Sequence, residues 1–373
     1  MAPAPQHDDA TPAEPSPLHL HVPPVYCPIP TTRHPRTDEF RDNGANWMAD
    51  HGLCPDDQQR DRVIGTRSAE WVGDAVPDGI PDRMQIWADW FYLMFAVDDF
   101  HDEYPNWHQA IDFSARLACT IANPDAQAFP ADNPFAAPLR DVARRYHEHA
   151  TPTQLNRWTQ HHRAWLLAVC RQVALGHAGI VLDLNDFVTM RLHTCAGEAT
   201  YAPMEMVVDA EVPEAEMSSP AVRALREMAV FVAAWDNDLG SYGKEWWLSQ
   251  QNSVRPDPVP GNIVDILLRG TGCTLEQALT RSIAMRDRAM VRFLRPREQV
   301  LPQASEELAL FLNYLGTGIS GNITAAFTSE RYTLPDPAHP DALKVTYSVR
   351  TEAPPDADQP LPLPATAWWW DDL

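Results

Sequence analysis

The chain has 373 residues, 45% of them hydrophobic, enough to bury a large core in one domain or two. Lys and Arg number 29 against 51 Asp and Glu, a formal charge of −22. The overall field therefore repels nucleic acid and anionic membrane surfaces, and an anionic substrate needs a local cluster of cations. The cysteines, at 27, 54, 119, 170, 195 and 273, form no CxxC pair. They fit neither a disulfide framework nor a zinc site and suit a reducing, cytoplasmic compartment.

Ten of the 35 prolines lie in residues 1–35 and eight follow Thr333. The two ends, 1–35 and 333–373, thus read as Pro-rich segments flanking a body over 36–332. Up to about Pro24 large apolar side chains are sparse, and disorder is expected. The start has neither a basic n-region nor an apolar h-region, and no stretch reaches the ~18 apolar residues of a membrane span. The expectation is an unprocessed protein that does not enter a membrane.

From Met84 the apolar residues Trp87, Phe91, Met94 and Phe95 recur at helical spacing. The pattern stops in Asp98, Asp99, Phe100, His101, Asp102 and Glu103, four carboxylates in six residues. Asp98 and Asp102 are one turn apart and share a face, and Glu103 is close enough to swing toward it. Acids one turn apart repel, and at a helix C-terminus they oppose the macrodipole. Hard oxygen donors under that strain point to Mg²⁺, although a solvated helix end fits the segment equally well when it is taken alone.

Further helices are predicted around 135–150, 153–177, 185–207, 221–250, 275–300 and 305–331, with strand signals nearly absent. The fold class is therefore all-α: one helical bundle with a central cavity. Within 221–250, Asn237, Ser241 and Glu245 stand at i, i+4 and i+8, lining an amide oxygen, a hydroxyl and a carboxylate along one stripe. That is an oxygen donor set for one Mg²⁺ whose remaining positions take water and phosphate oxygens. Lys244 can reach a phosphate as a point charge, and Asp238 reads as an outer polar residue. The chain closes on Trp368, Trp369 and Trp370 behind a PLPLP run, and such an apolar tip is expected to dock on the body.

The two acidic motifs together resemble those of the bacterial class I terpene synthases, a likeness spanning most of residues 80–332. In that family a DDxx(D/E) motif and an NDxxSxxxE motif bind three Mg²⁺ around a substrate diphosphate. Asp98 to Asp102 and Asn237 to Glu245 match both. The resemblance further implies a diphosphate-sensing arginine 46 residues before the Asn, where Arg191 stands, and a C-terminal Arg-Tyr pair, found as Arg331 and Tyr332. It makes Thr194 a linker and Cys195 the residue whose carbonyl faces the substrate. The Val25-Tyr26-Cys27-Pro28 opening looks like that of the branch with methylisoborneol-type synthases.

Tryptophans that the family commonly carries on its last helix are replaced by Gly318 and Ala325, which removes two cation-stabilising faces and leaves volume. The Trp-rich tip is one candidate to fill it.

The implied function is Mg²⁺-dependent ionisation of a linear isoprenyl diphosphate followed by cyclisation. Arg191, Lys244, Arg331 and Tyr332 would hold the leaving group, while Phe91 and Phe95 line a dry pocket. Farnesyl diphosphate is preferred by a narrow margin over geranylgeranyl diphosphate. A monoterpene synthase or a chain-elongating prenyltransferase ranks lower, the latter because it needs a second DDxxD motif. A di-iron bundle would require paired Glu-x-x-His motifs, which the sequence lacks. A monomer or homodimer is expected.

Overall fold

The computed structural model describes residues 18–102, 107–251, 261–335, 338–355 and 357–371. Its helices are α1 (Thr37–Asp50), α2 (Asp57–Ile64), α3 (Ser68–Ala75), α4 (Pro81–Asp102), α5 (Trp107–Ala122), α6 (Ala136–His149), α7 (Pro152–Ala178) and α8 (Leu184–Thr194). Then follow α9 (Gly197–Tyr201), α10 (Pro203–Val207), α11 (Glu214–Met217), α12 (Pro220–Gln251), α13 (Ile263–Thr271), α14 (Leu275–Val300), α15 (Glu306–Thr328) and α16 (Glu330–Thr333). The all-α architecture predicted from the spacing is the one that forms. No described helix is long and apolar enough to cross a membrane.

Side-chain caps fix where the long helices begin. Thr151 and Gln154 form a reciprocal capping box at the start of α7, and Thr274 and Gln277 form another at α14. The α7 helix stops at Gly179, whose φ of 64° suits glycine. At the centre, α12 packs against α14 and α15 and also touches α8, α13 and α16. The α4 helix is buried on most of its circumference, with Trp87, Trp90, Tyr92 and Leu93 all at 1% exposure or less. A helix apolar all round belongs inside a core rather than at its surface.

Two expectations need correction. The predicted 185–207 helix is three helices, because the chain turns at Cys195–Ala196, where Ala196 takes a φ of 57°. The N-terminal segment is also more ordered than its composition suggested. Leu18–His21 forms a strand, β1, running parallel to β3 (Leu343–Thr346), and β2 (Val25–Tyr26) pairs likewise with β4 (Val349–Arg350). Leu20, Val22 and Val25 are buried. Alternation of apolar with polar residues at 18, 20 and 22 suits a half-buried strand, and its partner lies more than 300 residues away. Residues 1–17 lie outside the described residues.

The C-terminal tip forms a 3₁₀ turn over Pro364–Trp370. Trp369 is fully buried, its ring edge-on to Phe231 at 5.5 Å and its indole N–H donating to Glu227 at 3.0 Å. Arg292 donates to the Trp369 carbonyl at 2.6 Å, and the Arg223 guanidinium lies over Trp368 at 5.6 Å. The backbone N–H of Ala365 donates to Asn185 on α8. The tip thus clamps α8, α12 and α14 from outside and contributes nothing to the cavity wall described below.

Candidate active site

Four helix segments converge on one cavity mouth: the end of α4, the end of α8, the middle of α12 and the short α16. On α4, Phe91, Phe95 and Asp98 stand at i, i+4 and i+7 and all line the cavity, as the predicted face requires. Asp98 and Asp99 meet Arg331, whose guanidinium lies 3.2 Å from Asp98 Oδ2 and 2.6 Å from Asp99 Oδ1. Arg62, which belongs to neither motif and was not singled out from the sequence, approaches Asp99 at 3.1 Å from the solvent side. Burial alone would raise the Asp99 carboxyl, yet Arg331, with Lys244 and Arg62 behind it, holds it below the ordinary carboxylate range. Asp102 ends α4, but its side chain lies outside the described residues, as does all of Glu103.

On α12 three consecutive polar residues take three directions. Asn237 faces the cavity, where its Oδ1 accepts from Arg191 at 2.8 Å and its amide donates to the Tyr332 hydroxyl at 2.7 Å. Asp238, expected on an outer face, is instead 1% exposed. It accepts from Arg191 Nε at 2.8 Å and from the backbone N–H of Ile263 at 2.8 Å, so the start of α13 covers it. Burial pushes its pKa up to about 6 even though Arg191 opposes the rise. Asp236 turns to the far side and pairs with the equally buried Arg286 at 2.9 Å. A signal was available: successive helix residues point about 100° apart, so no single solvent face holds all three of Asp236, Asn237 and Asp238.

One turn on, the Ser241 hydroxyl donates to Glu245 at 2.7 Å. Burial raises the Glu245 carboxyl, with Ser241 and Arg191 lowering it. Burial and the nearby Arg331 push the Lys244 ammonium below its usual value, while Asp99, Asp98 and Glu245 pull it back. Lys244 thus stands between both acidic motifs. Arg191, Lys244, Arg331 and Tyr332, proposed from sequence as one set, surround the two motifs in space.

The motif stripe requires α12 to lie close against α15. At Gly240, between Asn237 and Ser241, a Cβ would come within 2.2 Å of the Ala326 carbonyl oxygen. Gly240→Ala must therefore move one helix backbone. The expected cost is about 1–3 kcal/mol in denaturant unfolding together with a fall in kcat/KM, and unchanged values for both would contradict this packing.

Inside the mouth the cavity encloses about 990 Å³ of empty space, counting its open entrance. Its aromatic wall includes Phe91 and Phe95 as predicted, and also Trp71, Trp90, Trp165 and Tyr201, which the sequence did not single out. Thr194 and Cys195 line it at the break between α8 and α9. Gly318 does not leave open volume: a Cβ there would lie 3.2 Å from Met204 Cε, 3.6 Å from Tyr201 Cε1 and 3.8 Å from Trp71 Cζ2. Trp71 of α3 thus packs against this glycine, where the last helix offers no indole. Ala325 does line the cavity, with Ala196, Gly197, Ala233 and Ala234 also on the wall.

The donors on α12 fit a hard divalent cation. Among the described residues no group of three or more His, Cys, Asp or Glu side chains is placed so that it could hold a metal ion. The available set is instead an amide oxygen, a hydroxyl and a partly buried carboxylate on one helical stripe, of which Asn237 lines the cavity that Asp98 also lines.

Comparison with known proteins identifies the family. Residues 89–292 match the family described as terpene synthase family 2, C-terminal metal binding. The chain is 37% identical to the phomopsene synthase of Allokutzneria albata, over 95% of this chain and 98% of that one. It is 32% identical to a Streptomyces protein named diterpene cyclase DtcycA, over 96% and 98%. Its fold is similar to the crystal structure of a mutant of the reconstructed ancestral protein SVS_A2, with a TM-score of 0.80 and 33% identity over 94% of this chain and 99% of the other. The family match runs from Asp89 on α4 to Arg292 on α14 and so takes in both acidic motifs, and the chain belongs to the bacterial class I terpene synthases.

Proposed function

We propose that the protein cyclises geranylgeranyl diphosphate, with magnesium held by Asp98 and its neighbour Asp102 or Glu103 on one side and by Asn237, Ser241 and Glu245 on the other. Three ions are proposed per site. When bound, they supply Lewis-acid neutralisation of the charge that builds on the departing diphosphate. Arg191, Lys244 and Arg331 add three fixed positive charges at the same mouth, and Tyr332 adds a hydroxyl donor. None of these groups needs to be recruited from afar, since Arg191 and Tyr332 already bracket Asn237 and Arg331 already bridges Asp98 and Asp99. Below the mouth, Phe91, Phe95, Trp71 and Tyr201 present π faces to the allylic cation and exclude water. The departed diphosphate, kept beside the cation, is the proposed base for the final proton loss.

The twenty-carbon substrate rests on one observation above the others. The Trp-rich tip, the candidate to fill space beside Ala325 on α15, docks outside the bundle, while Ala196, Gly197, Ala233, Ala234 and Ala325 remain on the wall. The relative named as a diterpene cyclase, aligned end to end, supports the same length. The farnesyl preference drawn from sequence gives way on these grounds.

The test is gas chromatography with mass spectrometry after separate incubations with geranyl, farnesyl and geranylgeranyl diphosphate in the presence of Mg²⁺. A cyclic C20 product with the highest kcat/KM is expected. A higher kcat/KM for farnesyl diphosphate would overturn the substrate assignment and leave the reaction class intact.

A further inference from the structure

His162 on α7 has no place in the reaction described so far, yet it is completely buried directly behind the aromatic wall. Its Nε2 lies 3.0 Å from the indole nitrogen of Trp90, and its Nδ1 lies 2.8 Å from the carbonyl oxygen of Trp158. An indole N–H only donates and a carbonyl only accepts, so the partners dictate the tautomer: Nε2 carries the lone pair and Nδ1 the hydrogen. The ring is boxed by indoles, edge-on to Trp158 at 4.7 Å, to Trp90 at 5.4 Å and to Trp165 at 6.0 Å. Burial pushes its pKa down to about 4, so it stands neutral behind a wall that must attract a cation.

Three indoles line the cavity, those of Trp71, Trp90 and Trp165. The N–H groups of Trp71 and Trp165 have no hydrogen-bond partner among the described residues, whereas that of Trp90 is anchored by His162. Trp90 stacks on Phe91 at 6.0 Å and 19°, and Phe91 stacks on Phe95 at 5.1 Å and 24°. The Arg331 guanidinium lies over the Phe95 ring at 4.9 Å. A ladder of π faces thus runs from the diphosphate end of the site into the cavity, and its inner rung is the one held by a hydrogen bond.

We infer that His162 is a positioning residue for cyclisation, fixing the Trp90 indole so that the developing cation meets a π face at one set place. The inference rests on the cyclase reading but not on substrate length, since the test uses whichever diphosphate the wild type cyclises. It is not a proton acceptor for the reaction, because the lone pair of Nε2 is taken by Trp90 and the indole stands between it and the cavity.

The test compares His162→Leu with His162→Gln, whose amide oxygen can accept from the Trp90 N–H at a similar reach. With folding verified by melting temperature, His162→Leu is expected to raise the share of linear or early-terminated products at least about fivefold. His162→Gln should bring the distribution back toward wild type. Trp90→Phe, which keeps a ring but loses the anchor, is expected to shift products in the same sense and serves if His162→Leu does not fold. An unchanged distribution in a folded His162→Leu or in Trp90→Phe would overturn the inference. So would a ¹⁵N spectrum of wild type showing the His162 hydrogen on Nε2.

Discussion

Asn237→Ala is expected to lower product formation about 10³-fold or more while leaving the helical fold intact, as read by kcat and by circular dichroism. The size follows from what converges on this one amide. Its oxygen belongs to the Asn237, Ser241 and Glu245 stripe, its nitrogen positions the Tyr332 hydroxyl, and Arg191 is anchored on it. Truncation removes the proposed metal donor, leaves the Tyr332 hydroxyl without its amide partner and takes one contact from Arg191, which Asp238 still holds. The helix should tolerate the change, since alanine is the best helix former and Asn237 faces a cavity rather than a packed core. Activity within tenfold of wild type would contradict the assignment of this stripe as a metal site.

The largest effect on stability is expected on the other side of the same helix turn. Arg286 is fully buried and pairs with Asp236 at 2.9 Å and Asp287 at 3.2 Å, and it also donates to the Tyr26 carbonyl. Asp287 in turn accepts from the Tyr26 backbone N–H and from Arg350, so both chain ends are tied to this cluster. Arg286→Met keeps most of the volume but leaves the Asp236 carboxylate buried without its cation. Breaking a buried pair in this way costs about 3–5 kcal/mol, measurable by denaturant unfolding. The loss should exceed that of Arg350→Met, because Arg350 is partly exposed and Asp287 keeps Arg286. A loss below about 1 kcal/mol would mean that Asp236 is carried by other contacts.

The parts of this site that were legible in the sequence are those written on single helices. Asn237, Ser241 and Glu245 share one stripe of α12, and Phe91, Phe95 and Asp98 share one of α4, so spacing alone aligned them. The 275–300 helix was read with the bounds that α14 takes, since a long apolar periodicity has no competitor there. The aromatic wall was not legible, because Trp71, Trp165 and Tyr201 come from α3, α7 and α9 and meet only through packing between helices. Asp238 was misplaced for the same reason: its partners, Arg191 and Ile263, lie 47 and 25 residues away. The pairing of β1 with β3 joins the two ends of the chain, and nothing local to either strand announces its partner.

The charges at the mouth are proposed to form a joint site for magnesium and diphosphate. Its most direct measurement is the melting temperature with MgCl₂ alone, with inorganic pyrophosphate alone and with both. A ligand pair at about 100 times its Kd stabilises the folded state by about 2.7 kcal/mol. A rise of several degrees is expected with both together and little change with either alone, since acids and cations alternate at the mouth and each ion would offset the charge that repels the other. The rise should vanish in Asn237→Ala. No rise with both present, in protein shown to be folded, would contradict it.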